Sequence, residues 1–312
     1  MGTNTTSLRA RFGRHQTFPM RFSWPTKGFR YWCEGHNIYD HTEPGVALGV
    51  GKNMVNSIKY WLQACGLIEE KSDLSVSPSE IGALLLSPSS GQDPYLEDDV
   101  SLWLLHWNIA SNQYQATTFY WFFNFFHKVD FKPNEVLASL KTFLSEKTTY
   151  TVATKTLESD VAVLLRMYAV DSSMKGPLPP EDSLLSPMTQ LNLIDMDSEE
   201  SKFRIRNIDR TDLPVEAFGY SLLDVLEITR KNNISIGELL KSQDETAAPG
   251  AVFKLSEDGL VVKVEELVKA YPQLFDIRET AGIHQVYRLN EISKIDFMKS
   301  YFQSRQANMG VQ

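Results

Sequence analysis

A short acid-rich segment is the first place where this sequence could do chemistry. Residues 93–99 read DPYLEDD and hold four carboxylates directly before an apolar stretch. Oxygen ligands of this kind suit hard divalent cations such as magnesium or manganese, which could assist the cutting of a phosphodiester bond. The same acids could instead cap a helix over 101–110, where negative charge is favourable. The candidate catalytic residues are Asp93, Glu97, Asp98 and His106, with the three carboxylates as candidate metal ligands.

A second candidate for chemistry is His15, which lies beside cations in the run RHQTFPMR. An imidazole next to guanidinium groups could polarise a scissile phosphate, and Arg14 or Arg21 could hold that phosphate. The alternative is a loop whose polar side chains bond to their own backbone. The residues alone leave both interpretations open.

The element that would bring DNA to such residues is a helix-turn-helix over 44–70, PGVALGVGKNMVNSIKYWLQACGLIEE. Gly49 and Gly51 bracket a tight turn, Asn53 can cap the helix that follows, and apolar residues recur behind it at helical spacing. The second helix of this motif typically meets phosphates and base edges. The side chains predicted to contact DNA from it are Lys52, Asn53, Asn56, Lys59 and Tyr60.

The charge of the chain is unevenly distributed. The formal net charge of its 312 residues is −8, although basic residues crowd the first thirty positions. Because each neutralised phosphate needs a cation, the negative net charge argues against tight binding of DNA through its phosphates alone. Contact with DNA is therefore expected to be local, transient or shared with a partner. The N-terminal cations predicted to take part are Arg14, Arg21 and Lys27.

Composition predicts a globular protein, with 42% hydrophobic residues. No run approaches the roughly 18 apolar residues of a membrane span, and no apolar segment follows the basic N-terminus. A cytoplasmic protein without membrane association is the expectation. Cys33 and Cys65 lack a paired spacing, so neither a disulfide framework nor a zinc site is predicted, and both are expected to be buried structural residues.

The predicted fold class is mainly α with small β-wings, an α+β arrangement. A winged helix with a basic N-terminal arm is predicted over 1–90, because two short strands follow the helix-turn-helix. A helical bundle rich in aromatic residues is predicted over 91–171. A linker rich in Pro, Ser and acids over 172–201 then leads to a winged-helix-like unit over 202–312.

Several sequence blocks occur in the order of a known family. They are HQTFPMR, LGVGKNMVNSIKYWLQACGLIEE, DPYLEDDVSLWLLHW, ATTFYWFFN, TLESDVAVLLRMY and ETAGIHQVYRL. Through these blocks the chain, from about Phe12 to Arg288, resembles the SspB-type proteins of bacterial DNA phosphorothioation systems, a family long catalogued as a domain of unknown function. The block EDSLLSPMTQL lacks the cysteine that relatives often have there, which argues against sulfur handling by this chain.

The resemblance implies a role in a bacterial DNA modification and anti-phage defence system. Such systems contain a cysteine desulfurase, an ATPase and an ATP-dependent sulfurtransferase, which together replace a non-bridging phosphate oxygen with sulfur. The SspB-type member is implied to nick one DNA strand so that the backbone can be modified. The implied partners are double-stranded DNA and the ATPase and sulfurtransferase subunits, and no residue roles transfer with the resemblance.

Two functions remain open at this point. The first is a DNA-nicking endonuclease that depends on magnesium or manganese, and the second is a non-catalytic DNA-binding adaptor of the phosphorothioation complex. They differ in whether the acid-rich segment faces an open groove and binds a divalent ion, or is used in caps and salt bridges. A homodimer is compatible with both. A third function, a transcriptional regulator, would need a symmetric dimer that binds tightly, and the acidic surface argues against it.

Overall fold

The protein is mainly α-helical with small β-sheets, as the sequence predicts. The predicted N-terminal arm up to residue 9, the segment 172–185 of the predicted linker and the predicted turn at 281–282 lie outside the described residues. The computed structural model describes residues 10–33, 43–72, 75–171, 186–243, 246–280 and 283–309.

The helices and strands follow one another along the chain in three groups. The helices are α1 (Trp24–Cys33), α2 (Glu43–Leu48), α3 (Lys52–Ala64), α4 (Glu80–Leu86), α5 (Asp99–Ser111), α6 (Thr117–Phe125), α7 (Pro133–Lys147), α8 (Thr154–Tyr168), α9 (Val215–Thr229), α10 (Ile236–Leu240), α11 (Pro249–Val252), α12 (Glu257–Ala270) and α13 (Lys294–Met309). The strands are β1 (Ile68–Glu70), β2 (Val76–Pro78), β3 (Asp130–Phe131), β4 (Ala169–Asp171), β5 (Ile194–Asp197), β6 (Lys202–Arg204), β7 (Asn233–Ser235), β8 (Phe275–Thr280) and β9 (Ile283–Arg288).

The first group has the element order of a winged helix. Helices α1, α2 and α3 are followed by the antiparallel hairpin of β1 and β2, in which Ile68 pairs with Pro78. A Cβ atom on Gly28 would lie 2.5 Å from Cγ2 of Ile58, so the lack of a side chain on Gly28 lets α1 approach α3 closely. The order of elements is therefore the one predicted for residues 1–90, and their assignment as a winged-helix domain stays a prediction.

The ends of helix α3 follow from local sequence. Gly51 precedes the helix in an extended conformation and offers no side-chain cap, so the predicted cap Asn53 lies inside the first turn instead. At the other end Gly66 has φ +67°, a left-handed conformation that glycine adopts without strain. The amide of Leu67 donates to the carbonyl of Leu62 at 2.9 Å, which completes a Schellman-type end.

Helix α5 lies at the centre of the second group. Of its 13 residues 10 are buried, which is typical of a helix surrounded by others rather than one at the surface. Helices α6, α9 and α11 pack against it. The predicted aromatic core is observed, with the side chains of Trp103, Trp107, Phe122 and Phe123 all at most 2% exposed.

The second group also contains a four-stranded sheet with the strand order β3, β6, β5, β4. Strand β5 and a 3-10 helix over Pro187–Leu191 belong to the segment predicted as a linker. This part of the segment is ordered because its apolar side chains are buried, among them Met188 and Ile194. The division of the chain into domains stays a prediction.

The third group has the order α9, β7, α10, α12, β8, β9, with the short helix α11 inserted before α12. Strand β9 lies between β7 and β8 in an antiparallel sheet. This is again a winged-helix order, as predicted for the C-terminal unit. Helix α13 follows and packs along α9. No helix of the described residues is long and apolar enough to cross a membrane.

Candidate nucleic-acid interface

The solvent-facing side of α3 carries most of the side chains predicted to contact DNA. Lys52 and Asn53 are exposed at the start of the helix, and Asn56 and Lys59 are half-buried. The opposite side contributes Val55, Ile58 and Leu62 to the core. Because α3 contains no acidic residue, its open side presents amides and positive charge.

Lys59 is held in a more constrained environment than Lys52. Burial lowers the pKa of Lys59, the carboxylate of Glu70 acts in the opposite direction, and Arg11 lowers it further. Lys59 thus lies between the wing strand β1, which carries Glu70, and the N-terminal segment, which carries Arg11. Lys52 is therefore the better test of a phosphate contact.

Tyr60 differs from the prediction, because it lies in the core rather than on the open side of α3. Its side chain is 7% exposed, and its ring lies 5.9 Å from that of His15 and 4.8 Å from that of Trp61. Burial raises the pKa of its hydroxyl well above the usual value. In this position Tyr60 packs the N-terminal segment against α3 and does not reach a ligand at the surface.

The N-terminal cations lie beside this helix in different settings. Arg14 and Lys27 are exposed, whereas Arg21 is half-buried with its guanidinium 5.3 Å from the ring centre of Trp24. The indole of Trp61 on α3 donates to the carbonyl of Phe18 at 3.1 Å, which fixes the segment carrying Arg14 and Arg21 against α3. Arg14 and Arg21 therefore lie on a segment that contacts α3, and Lys27 lies on α1, which packs against α3.

His15 is a buried structural residue in this fold. It is 1% exposed, and its Nε2 lies 2.8 Å from Oδ1 of Asp160 on α8. Its Nδ1 accepts the backbone N–H of Thr17 at 3.1 Å, which leaves Nε2 as the donor to Asp160. Since both ring nitrogens are used and the ring is enclosed, His15 is not positioned to meet a phosphate.

The acid-rich segment forms a tight loop before α5, and Asp93 is its centre. The two carboxylate oxygens of Asp93 accept the backbone N–H groups of Glu97 at 2.9 Å and Asp98 at 3.0 Å. These two hydrogen bonds stabilise a loop in which Leu96 has a φ of +56°. Asp93 is buried and Glu97 is exposed, so the two carboxylates face different surroundings.

Asp98 has several partners of its own. Its Oδ1 accepts the N–H of Val100 at 2.9 Å, which caps α5. From α13, the hydroxyl of Tyr301 donates to Oδ2 at 3.1 Å, and Arg305 forms an ion pair with the same carboxylate. The capping alternative considered from the sequence therefore describes Asp98 in the structure, with an additional contact to the C-terminal helix.

His106 lies far inside the helical bundle. Its Nε2 donates to the carbonyl of Val252 at 3.0 Å, so Nδ1 accepts the hydroxyl of Tyr168 at 2.9 Å. The side chain is fully buried, and burial lowers the pKa of His106 to about 3. The ring is thus neutral and occupied, and it does not face the acid-rich loop as the sequence suggested.

These placements bear on the predicted metal site. Across the part of the chain that the structure describes, no three His, Cys, Asp or Glu side chains are grouped so that they could hold a metal ion. Both oxygens of Asp93 already accept amides, and Asp98 is paired with Arg305. As placed here, Asp93, Glu97 and Asp98 therefore do not form the predicted three-carboxylate metal site.

Comparison with known proteins identifies the family. A family model described as a protein of unknown function (DUF4007) matches residues 12–302. The chain belongs to the DUF4007 family. No protein of curated function matches the sequence significantly.

The DUF4007 chain shares its fold with crystal structures of SspB. A magnesium ion-bound SspB structure is similar with a TM-score of 0.79 and 24% identity, covering 96% of this chain and 90% of that one. Another SspB structure has a TM-score of 0.77 and 24% identity, covering 97% and 89% of the two chains. The predicted likeness to SspB-type proteins is therefore confirmed for the fold, and the predicted membership of a family of unknown function is confirmed by the DUF4007 match.

In this DUF4007 protein, several residues that position the predicted ones were not themselves predicted from the sequence. Asp160 lies on the apolar stripe of α8 with Leu157 and Leu164, and a carboxylate on such a stripe signals a buried partner. Tyr301 and Arg305 gave no such signal, since they are separated from Asp98 by more than two hundred positions.

Proposed function

We propose that this protein binds duplex DNA through the open side of α3, as a non-catalytic component of a DNA phosphorothioation system. The observation that carries the proposal is the exposed, acid-free face that begins at Lys52 and Asn53. A helix of this kind, presented by a winged-helix order of elements, is suited to enter a DNA groove. The fold shared with SspB supports the proposal that the protein belongs to such a system.

The two winged-helix units differ in charge, and the difference favours α3 over α12 as the DNA-reading helix. Helix α12 occupies the corresponding place in the C-terminal unit but exposes several carboxylates and one lysine, Lys269. Carboxylates next to phosphates would be repelled. Its exposed acids are Glu257, Asp258, Glu265 and Glu266.

An adaptor of this kind agrees with the net charge of −8. Cations are gathered at α3 and the N-terminal segment, so the protein would touch DNA over a small area. Most of the remaining surface would stay available to proteins. The partners we propose are the ATPase and the sulfurtransferase of the same system, which would carry out the chemistry on the DNA held by this chain.

The proposal is tested by measuring duplex binding with fluorescence anisotropy over a series of salt concentrations. Lys52→Ala is expected to weaken binding to duplexes of unrelated sequence alike and to lower the salt slope by about one, as the loss of one phosphate contact predicts. Lys269→Ala on α12 removes an equally exposed lysine and is expected to change neither quantity. Equal effects of the two substitutions would refute the assignment to α3.

A second function, metal-dependent nicking, is favoured by one observation: a protein of the same fold is described as magnesium ion-bound. Glu97 and Asp99 are the exposed carboxylates of the acid-rich loop. Conversion of supercoiled plasmid to the open circle, followed with and without magnesium or manganese, tests this function. Metal-dependent nicking that is lost in Glu97→Gln would make the protein an endonuclease, whereas plasmid that is bound but uncut would support the adaptor.

A further inference from the structure

A cavity of about 540 Å³ lies between the end of α6, the segment after β6 and the helices α10 and α11. Its volume is in the range of small-molecule sites. One part of its wall is apolar and includes Phe126, Val129, Leu240 and Leu255. The rest is dominated by basic side chains, namely His127, Arg206, Lys241 and Lys254.

Backbone contacts hold these basic residues around the cavity. The amide of Ile208 donates to the carbonyl of Lys254 at 3.0 Å, which brings the segment with Arg206 beside Lys254. Across the cavity, a Cβ on Gly250 would lie 2.8 Å from Cα of Leu240, so α11 packs directly on the end of α10. Lys241 follows that end and therefore shares the cavity wall with Lys254.

Lys254 is the most unusual residue of this wall. Its side chain is 4% exposed, and its ammonium donates to the backbone carbonyl of Phe123 at 2.7 Å. A carbonyl satisfies one of the three N–H donors but does not neutralise the charge. Burial and the charge of Arg210 lower the pKa of Lys254 to about 7, and no carboxylate of the described residues contributes to that pKa.

The surroundings of Lys254 add further positive charge. Burial lowers the pKa of His127, and Lys254 and Lys241 lower it further, so the three groups interact electrostatically. Among the described wall residues the only carboxylate is Glu257, which is exposed. Arg206 lies 3.8 Å from Asp195, a distance that leaves its guanidinium able to turn to another anion.

The backbone at Lys254 is also strained. Its φ is +55°, in the left-handed region that residues other than glycine, asparagine and aspartate rarely adopt. A buried cation that has no carboxylate partner among the described residues, on a strained backbone, is unfavourable for folding. Such features cluster at functional sites. A bound anion would remove the electrostatic part of this cost.

We propose that this cavity binds a terminal phosphate, the phosphomonoester of a nucleotide or of a nucleic-acid strand end. A phosphomonoester brings close to two negative charges and three acceptor oxygens, which match Lys254, Lys241 and Arg206. The apolar part of the wall would receive the organic group attached to the phosphate. The site is separate from α3, so it does not depend on duplex binding there.

The proposal is tested by calorimetric titration of the full chain with thymidine 5′-monophosphate, with thymidine as the comparison. Two further probes are a single strand with a 5′-phosphate and the same strand with a 5′-hydroxyl. The phosphorylated probes are expected to bind saturably, and their unphosphorylated counterparts are not. Stronger binding of the phosphorylated strand would identify the end of a nucleic-acid strand as the ligand. Stronger binding of the mononucleotide would identify a small nucleotide as the ligand.

Two variants test the residues, and one serves as the control. Lys254→Met removes the buried charge, and Lys241→Ala removes an exposed one without disturbing the core. Each is expected to weaken the binding of thymidine 5′-monophosphate by at least about tenfold, as expected for a hydrogen bond to a charged group. The control Lys269→Ala on α12 is expected to leave it unchanged.

Two results would contradict a phosphate site in this cavity. If neither phosphorylated probe binds saturably, or if Lys241→Ala and Lys254→Met bind as the unmodified protein does, the cavity is not a phosphate site. Duplex binding by α3 would be unaffected by that outcome. Failure of this site and failure of the proposed function are therefore distinguishable.

Discussion

The Nε2 atom of His15 lies 2.8 Å from Oδ1 of Asp160, in a pair that is buried between the N-terminal segment and α8. Asp160 also accepts the backbone N–H of Gly13 at 2.8 Å and the hydroxyl of Thr118 at 3.0 Å. A single carboxylate thus joins the segment beside α3 to the central bundle. The arrangement of the candidate DNA-binding surface depends on this carboxylate.

The first prediction concerns the stability that Asp160 provides. Asp160→Ala is expected to lower the free energy of unfolding by roughly 3 kcal/mol, because it leaves two buried donors and one half-buried donor without their acceptor. Glu158→Ala, at an exposed position of the same helix, is expected to change it by less than about 0.5 kcal/mol. Urea unfolding of both variants measures the difference, and similar values for the two would contradict the structural role of Asp160.

The second prediction separates Asp93 from Glu97 in the acid-rich loop. Asp93→Ala is expected to cost about 1–3 kcal/mol of unfolding free energy, because one buried and one half-buried amide lose their acceptor. Glu97→Ala removes an exposed side chain and is expected to be nearly neutral. Thermal melts of the two variants provide the check. A neutral Asp93→Ala would mean that its carboxylate is free for another task, such as binding a metal.

The third prediction concerns the loss of stability at acidic pH that His106 causes. Its pKa is about 3 in the folded protein, whereas an unfolded histidine has a pKa near 6.5. As the pH falls from 6.5 towards 3, the unfolded state takes up a proton that the native state does not, so stability falls by up to about 1.4 kcal/mol per pH unit. His106→Gln keeps a donor and an acceptor but does not titrate, and its stability is expected to fall less steeply with pH.

Urea midpoints at several pH values between 6.5 and 4 measure this slope, and the exposed His284 gives the control. His284→Gln on β9 should retain the slope of the unmodified protein. An unchanged slope in His106→Gln would show that the ring is not held neutral.

The fourth prediction concerns the stability cost of Lys254. Between pH 7 and 10.5 the unfolded lysine holds a proton that the buried lysine has lost, so the native state with Lys254 becomes more stable as the pH rises. Lys254→Met is therefore expected to raise the free energy of unfolding by roughly 1–3 kcal/mol near pH 7 and by less near pH 9.5. The titratable and charged groups around Lys254 are His106, His127, Arg206, Arg210, Lys241 and Glu257.

Unfolding measured at the two pH values distinguishes a charge effect from a packing effect. A loss of stability in Lys254→Met at both pH values would identify Lys254 as a structural residue that the core requires.

The local features of this fold could be predicted from the sequence. The start and end of α3 are set by Gly51 and Gly66, and its buried side repeats at helical spacing. These features involve residues a few positions apart, which a sequence pattern reveals directly. The strands β1 and β2 and the order of elements in the first and third groups follow from the same kind of local signal.

The partners of the candidate site residues could not be predicted in this way. Asp98 meets Tyr301, and His106 meets Val252, across separations of 203 and 146 positions. Such pairings depend on how helices pack, and the same carboxylate that could bind a metal can equally bind an arginine from a distant helix. Tyr60 illustrates the same limit, because only the packing of the N-terminal segment decides that its ring is buried.

The central claim, that the open side of α3 contacts duplex DNA, is tested most directly by amide hydrogen exchange of the full chain with and without a duplex. The account predicts slower exchange for peptides covering residues 43–60 when DNA is present, and no change for peptides covering 257–270 of α12. At the same duplex concentration the protection should be weaker in Lys52→Ala and unchanged in Lys269→Ala. Protection confined to 257–270, or none in 43–60 under conditions where the duplex is bound, would contradict the account.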